Sequence, residues 1–119
     1  MRYALLVYGD QTSWTEYDDE ESARLRAASM PRWLQLFEEM GKADPAVEGR
    51  ELAPAAEARV VRVVEGERIV TDGPFAETKE QIGGVFVTDL PDLDEAIRIA
   101  GLVPTAEDGA LEIRPLVER

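Results

Sequence analysis

Apolar and polar residues change rhythm several times along this chain. From Tyr3 to Tyr8 both alternating sets are apolar, Tyr3, Leu5 and Val7 on one and Ala4, Leu6 and Tyr8 on the other. That pattern predicts a strand covered on both faces. The rhythm then turns helical, with Met30, Trp33, Leu34, Phe37 and Met40 recurring at three- and four-residue spacing. Asp18-Asp19-Glu20-Glu21 stands where that helix would begin, favourable against the positive end of its dipole, and Gly41 is a plausible stop. Pro31 inside the span predicts a kink or two consecutive helices, the second with Pro31 in its first turn.

Lys42 to Ala58, rich in Ala, Glu, Pro and Gly, has little periodicity and reads as a surface connection. The β-branched run from Arg59 to Glu65, the turn signal Glu65-Gly66-Glu67 and the return Arg68 to Thr71 predict a hairpin. Gly84 to Asp89 is a further strand. Pro91-Asp92-Leu93-Asp94-Glu95 starts a second helix, with Asp92 as N-cap and Glu95 three residues on. Leu93, Ala96, Ile97 and Ala100 form its expected apolar face and Gly101 its end. Leu111 to Leu116 makes a last strand, and Pro115 places it at an edge or marks its end.

Strand, long helix, hairpin, strand, helix, strand is the order of an α+β sandwich of ferredoxin-like type with an antiparallel sheet. Two helices cover one face of such a sheet. The other still carries Ala4, Leu6 and Tyr8, so a second copy of the sheet is the economical cover, and a symmetric homodimer is expected.

Composition narrows the function. The 119 residues suffice for one domain over residues 1–119, and 45% hydrophobic with 32% charged residues is globular. No apolar run reaches the ~18–20 residues that span a bilayer, and the apolar N-terminal stretch is too short for a secretory signal, so a cytoplasmic protein with no membrane partner is expected. The net charge of −12 and the scattered basic residues speak against direct nucleic-acid binding. The chain has no cysteine and no histidine. Thiolate chemistry and the commonest zinc ligands are excluded, no metal or other cofactor is expected, and acid–base work would fall to Asp, Glu, Lys, Tyr or water.

The stretch VTDGPFAETKEQIGG, Val70 to Gly84, concentrates the candidate chemistry. Asp72, at a strand end before Gly-Pro, reads either as a general base or ligand anchor on a rigid turn, or as an ordinary turn residue. In the second case it accepts hydrogen bonds from the following amides, while Gly73 supplies unusual dihedrals and Pro74 fixes the next. Glu77, Thr78, Lys79 and Glu80 surround a polar pocket or form one exposed helical turn with Lys79 paired to an acid. The acidic run at Asp18 lacks the spacing of a calcium loop. Trp33 and Phe37 read as core, whereas Trp14 and Tyr17 precede the periodic region and could line a cleft. Arg114 alternates with Leu111 and Ile113 and so points away from them. Inside a dimer or pocket it would need a carboxylate or an anionic ligand, and otherwise it is a solvated edge-strand arginine.

These residues carry a resemblance. The opening MRYALLVYG, the whole Val70–Gly84 stretch, its continuation Val85 to Ala96 and the closing Gly109 to Pro115 resemble the YCII-related, DGPF-domain proteins of bacteria over nearly the entire chain. The resemblance implies a dimeric α+β barrel, two ferredoxin-like sheets packed face to face. It implies a superfamily that includes muconolactone isomerase-like and dehalogenating lactone enzymes with a small-molecule pocket beside the barrel. Some relatives lie near or are fused to extracytoplasmic-function sigma factors. Members outside the DGPF branch carry a His–Asp pair as active site. This chain has the acid at Asp72 and no imidazole, and Leu102-Val103-Pro104 stands where many relatives have a cysteine before the proline.

Two functions follow as expectations. The first is a homodimer with a small-molecule pocket, an enzyme of isomerase or lyase kind, with Asp72 as base or anchor and Tyr8, Phe75, Lys79 and Arg114 as wall residues. The alternative is a non-enzymatic protein-binding module whose partner is a sigma factor.

Overall fold

Strand β1 (Arg2–Asp10) lies at the centre of the molecule, between β5 (Glu80–Asp89) and β6 (Ala110–Pro115), both antiparallel to it. The short strand β2 (Glu48–Glu51) extends the sheet beyond β5, giving the order β2-β5-β1-β6. This computed structural model describes residues 1–10 and 19–118; Trp14, Tyr17 and Asp18 of the sequence reading lie outside the described residues. Helices α1 (Asp19–Ala43) and α2 (Leu93–Ala100) both contribute to the core that covers one face of the sheet. The architecture is the expected α+β, ferredoxin-like one, with a hairpin inserted between its second and third strands.

That hairpin, β3 (Arg59–Val64) and β4 (Glu67–Asp72), forms its own two-stranded sheet. Its turn is tight because Glu65 and Gly66 both take positive φ, 50° and 80°, the geometry that matches the strand twist and that glycine tolerates best. The strand that completes the main sheet is therefore β2, inside the stretch expected to be a surface connection. Glu48-Gly49-Arg50-Glu51 has little intrinsic strand preference. It is extended because its backbone pairs with Gly84 to Val87 of β5, and Gly49 lets the Phe86 ring lie close against it.

The core gathers Tyr3, Leu5 and Val7 of β1, Leu36 and Met40 of α1, and Ile99 of α2, all 7% exposed or less. Helix α1 is one continuous element with Pro31 inside it, not the two consecutive helices that were one of the outcomes expected there. Pro31 and Ala27, whose carbonyl loses its helical donor, are both exposed, so water can satisfy the orphan oxygen. The helix also runs past Gly41 to Ala43. Its inward face is Trp33, Leu36 and Met40, whereas Met30, Leu34 and Phe37 are 46%, 58% and 48% exposed. Asp44 then fastens the helix end to the sheet: its carboxylate accepts from the Asp89 backbone N–H at 2.8 Å and from that of Ala46 at 3.0 Å.

Helix α2 begins as expected, the Asp92 carboxylate accepting from the Glu95 N–H at 2.9 Å. Glu95 turns its own side chain to Arg98, 2.6 Å away. Its buried face is Ala96, Ile99 and Ala100, while Leu93 and Ile97 are half exposed. No helical turn forms between Glu77 and Glu80, and β5 starts at Glu80, four residues before the strand expected there. Among the described residues no helix is long and apolar enough to cross a membrane.

Candidate functional site

Side chains alternate along β1, so Tyr3, Leu5 and Val7 enter the core while Ala4, Leu6 and Tyr8 lie on the opposite face of the sheet. No helix of the described structure covers that face. The ladder places Val87 beside Ala4 and Val85 beside Leu6 on β5, and Arg114 beside Ala4 and Glu112 beside Leu6 on β6. The result is an apolar centre with a charged pair on one flank.

Tyr8 and Arg114 meet there through Glu112. The Tyr8 hydroxyl donates to Oε1 of Glu112 at 3.2 Å, and Arg114 Nη2 donates to Oε2 at 2.9 Å. Arg114 and, next, the Tyr8 hydroxyl hold the Glu112 carboxyl below the usual carboxylate range. Partial burial, reinforced by the hydrogen bond to Glu112 and its negative charge, pushes the Tyr8 phenol above its ordinary value. The cluster is thus an ionised carboxylate gripping a protonated phenol and a guanidinium. Such a group can present two donors to an anion, and its carboxylate can accept a proton. Glu112 was not among the residues singled out in the sequence. The signal was present in the period of two: whatever turns Arg114 away from Leu111 and Ile113 turns Glu112 the same way.

The other three candidates lie apart from this cluster. Asp72 ends β4 with its side chain 92% exposed, and its recorded partner is Arg59 Nε at 3.6 Å. Phe75 is 75% exposed, with the Arg62 guanidinium 5.1 Å over its ring. Lys79 reaches Asp10 Oδ2 at 3.9 Å. Gly73 does not take a positive φ; what it supplies is space, because a Cβ there would meet Ala58 Cβ at 2.8 Å, and its N–H donates to the Ala58 carbonyl at 2.9 Å. The Gly73–Pro74 peptide is cis.

The double glycine that closes the motif acts on Tyr8 itself. Val7 pairs with Gly84 and Tyr8 with Ile82, so Gly83 is the extra residue of a β-bulge. Its carbonyl accepts instead from the Leu52 N–H at 2.9 Å. The bulge lies beside Tyr8, the β1 residue whose side chain reaches Glu112.

A separate cavity of about 270 Å³, lined by Phe37, Met40, Val47, Gly49 and Phe86, opens on the helix side of the sheet. None of the five candidates lines it. Among the described residues no group of three or more carboxylates is arranged to hold a metal ion.

The family model described as YCII-related domain matches residues 1–119. An uncharacterised protein of Rhizobium meliloti (strain 1021) is 38% identical over 121 residues, covering 98% of this chain and 92% of the relative.

Proposed function

The chain belongs to the YCII-related domain family, and from that premise we propose that it works as a homodimer, closed sheet face to sheet face, that binds a small organic acid at Tyr8, Glu112 and Arg114. The observation that carries this reading is the cluster itself: a protonated phenol and a guanidinium converge on one carboxylate at the edge of an apolar sheet face. Two further features support it. The described molecule is a slab, 47 × 46 × 20 Å, and its thin dimension is what one sheet and one helix layer would give. The face behind that sheet carries Leu6, Val85 and Val87, which a second copy would cover.

Closing that face excludes water from the cluster and strengthens each of its electrostatic contacts. An acidic ligand would take Arg114 and the Tyr8 hydroxyl as donors, releasing the Glu112 carboxylate to accept a proton from carbon. That is proton-transfer chemistry of the isomerase or lyase kind, with Glu112 a better-placed base than the solvent-exposed Asp72.

A panel of small mono- and dicarboxylic acids and lactones, titrated calorimetrically, tests it. At least one should bind the wild type, and Arg114→Gln should weaken that binding at least about tenfold, the loss of one charge-assisted contact, with melting unchanged. A ligand bound equally well by both proteins, or none bound by either, overturns the reading. The alternative, a non-enzymatic module for a sigma factor, draws on a different observation, the acidic balance of the chain, −12 overall, which would suit a basic partner.

A further inference from the structure

Tyr8 is the position at which both neighbours of the central strand break their pattern. From Tyr3 to Val7 the ladders are regular, running against Thr88 to Gly84 on β5 and against Pro115 to Leu111 on β6. At Tyr8 the β5 side carries the Gly83 bulge. On the β6 side Tyr8 and Ala110 are the last pair. The chain turns off at Gly109, whose N–H donates to the Thr105 carbonyl at 2.7 Å, and this turn closes the 3-10 helix Pro104–Glu107 against β1.

Gly109 makes that closure possible. Its φ is not positive, so the position uses its missing side chain and not its dihedral freedom. A Cβ here would overlap the Tyr8 carbonyl oxygen, and it would meet the Thr105 carbonyl oxygen at 3.1 Å and the Thr105 Cγ2 at 3.2 Å. Two of these three are backbone atoms in packed surroundings, which cannot swing aside as the end of a long side chain does.

The approach matters because of where the phenol has to go. Directly across the ladder Tyr8 faces Ala110, and Glu112 faces Leu6. The 3.2 Å bond from the Tyr8 hydroxyl to Glu112 is therefore made along a diagonal, where antiparallel neighbours stand about 7–8 Å apart. An aromatic side chain spans that distance only when the strand twist leans it the right way, and a bulge is a local increase of twist. Gly83 imposes the twist from one side of Tyr8, and Gly109 lets the turn hold it from the other.

We propose that Gly109 is a positioning residue for Tyr8: its missing side chain lets the turn after Pro104–Glu107 close on the Tyr8 backbone and hold the phenol on Glu112. The inference rests on the organic-acid site proposed above and adds the residue that keeps one of its two donors in place.

Ionisation of the Tyr8 ring, followed by NMR and assigned by its loss in Tyr8→Phe, tests this without a ligand. In Gly109→Ala the turn has to move off and the phenol leaves Glu112. Tyr8 should then ionise at lower pH than in the wild type, because the hydrogen bond to Glu112 and its negative charge both raise the folded value. Gly41→Ala, in α1 with open space around it, should titrate as the wild type does. Any small carboxylic acid that binds the wild type should bind folded Gly109→Ala at least about tenfold more weakly, the loss of one donor. Should Gly109→Ala not fold, one glycine inserted between Asp108 and Gly109 relaxes the turn without adding a side chain, and it should lower the Tyr8 ionisation likewise. A folded variant of either kind whose Tyr8 titrates as in the wild type overturns the proposal, and Gly109 is then a packing residue alone. Equal binding of an acid by wild type and folded variant overturns it too, because the place of the phenol would not matter to the ligand. A lowered Tyr8 ionisation with no acid bound by any of the proteins leaves Gly109 in its role and removes the organic-acid site instead.

Discussion

Tyr8 and Glu112, 104 residues apart in the chain, share a 3.2 Å hydrogen bond across two strands on the uncovered face of the sheet. The phenol is the donor, so the bond exists only while Tyr8 is protonated. Partial burial first, then Glu112, raise its ionisation above the ordinary value of 10.0. A raised folded value means that the stabilisation is fully present below the unfolded value and is lost as the pH rises through the folded one. Glu112→Gln keeps an acceptor and removes the charge. The Tyr8 phenol should therefore ionise at lower pH in the variant, which a carbon-detected titration of the tyrosine ring carbons reads directly. An unchanged titration would mean that the charge of Glu112 does not act on Tyr8.

Asp44 makes the acid side of stability testable. The Asp89 and Ala46 amides hold its carboxyl below the usual range, the former acting most strongly. A depressed folded value contributes stability above the unfolded value of 3.8, and that contribution disappears as the pH falls through the folded value. Asp44→Asn should lower the melting temperature at pH 7, and the gap to the wild type should close on acidification to the bottom of the carboxylate range. A gap that stays constant with pH would show that the charge plays no part in fastening α1 to β5.

Leu34 and Leu36 of α1 separate burial from periodicity. Leu36 is 0% exposed and Leu34 is 58% exposed. Leu36→Ala should cost about 2–5 kcal/mol by chemical denaturation, and Leu34→Ala should stay within about 0.5 kcal/mol. Comparable losses at both would mean that Leu34 is buried in the working protein, as the wrong face of the helix was expected to be.

What the sequence could and could not convey divides along physical lines. Local signals were legible: Asp92 caps its helix, Gly66 turns its hairpin, and the double apolar alternation of Tyr3 to Tyr8 marks the central strand. Features decided by tertiary pairing were not. Glu48 to Glu51 becomes a strand only because β5 offers it a ladder, and Leu36 is chosen over Leu34 only by where the sheet lies. At the site, Tyr8 and Arg114 were found from their alternation, but Glu112, which joins them, drew no notice as one acid among 25 in an acidic chain. The motif misdirected in the opposite way. Its conspicuous acid is on the surface, while Gly83, the first of its plain closing pair, makes the bulge opposite Tyr8.

That division yields a direct comparison within the motif. Asp72 and Arg59 are 92% and 57% exposed and 3.6 Å apart, an ion pair worth at most about 1 kcal/mol. Asp72→Asn should leave the hairpin amides exchanging within a few-fold of the wild type. Gly73 lies one residue on and has no charge, yet a Cβ there would meet Ala58 Cβ at 2.8 Å and the Ala58 carbonyl carbon at 3.0 Å. The root of the hairpin would have to shift, straining the 2.9 Å bond from the Gly73 N–H to the Ala58 oxygen. Gly73→Ala should therefore destabilise the hairpin by about 1–3 kcal/mol, the usual cost of an added methyl in packed surroundings, read as roughly ten- to a hundredfold faster amide exchange. If Asp72→Asn loosens the hairpin as much as Gly73→Ala does, the carboxylate is structural after all, and the close approach at Ala58 is not what shapes the motif.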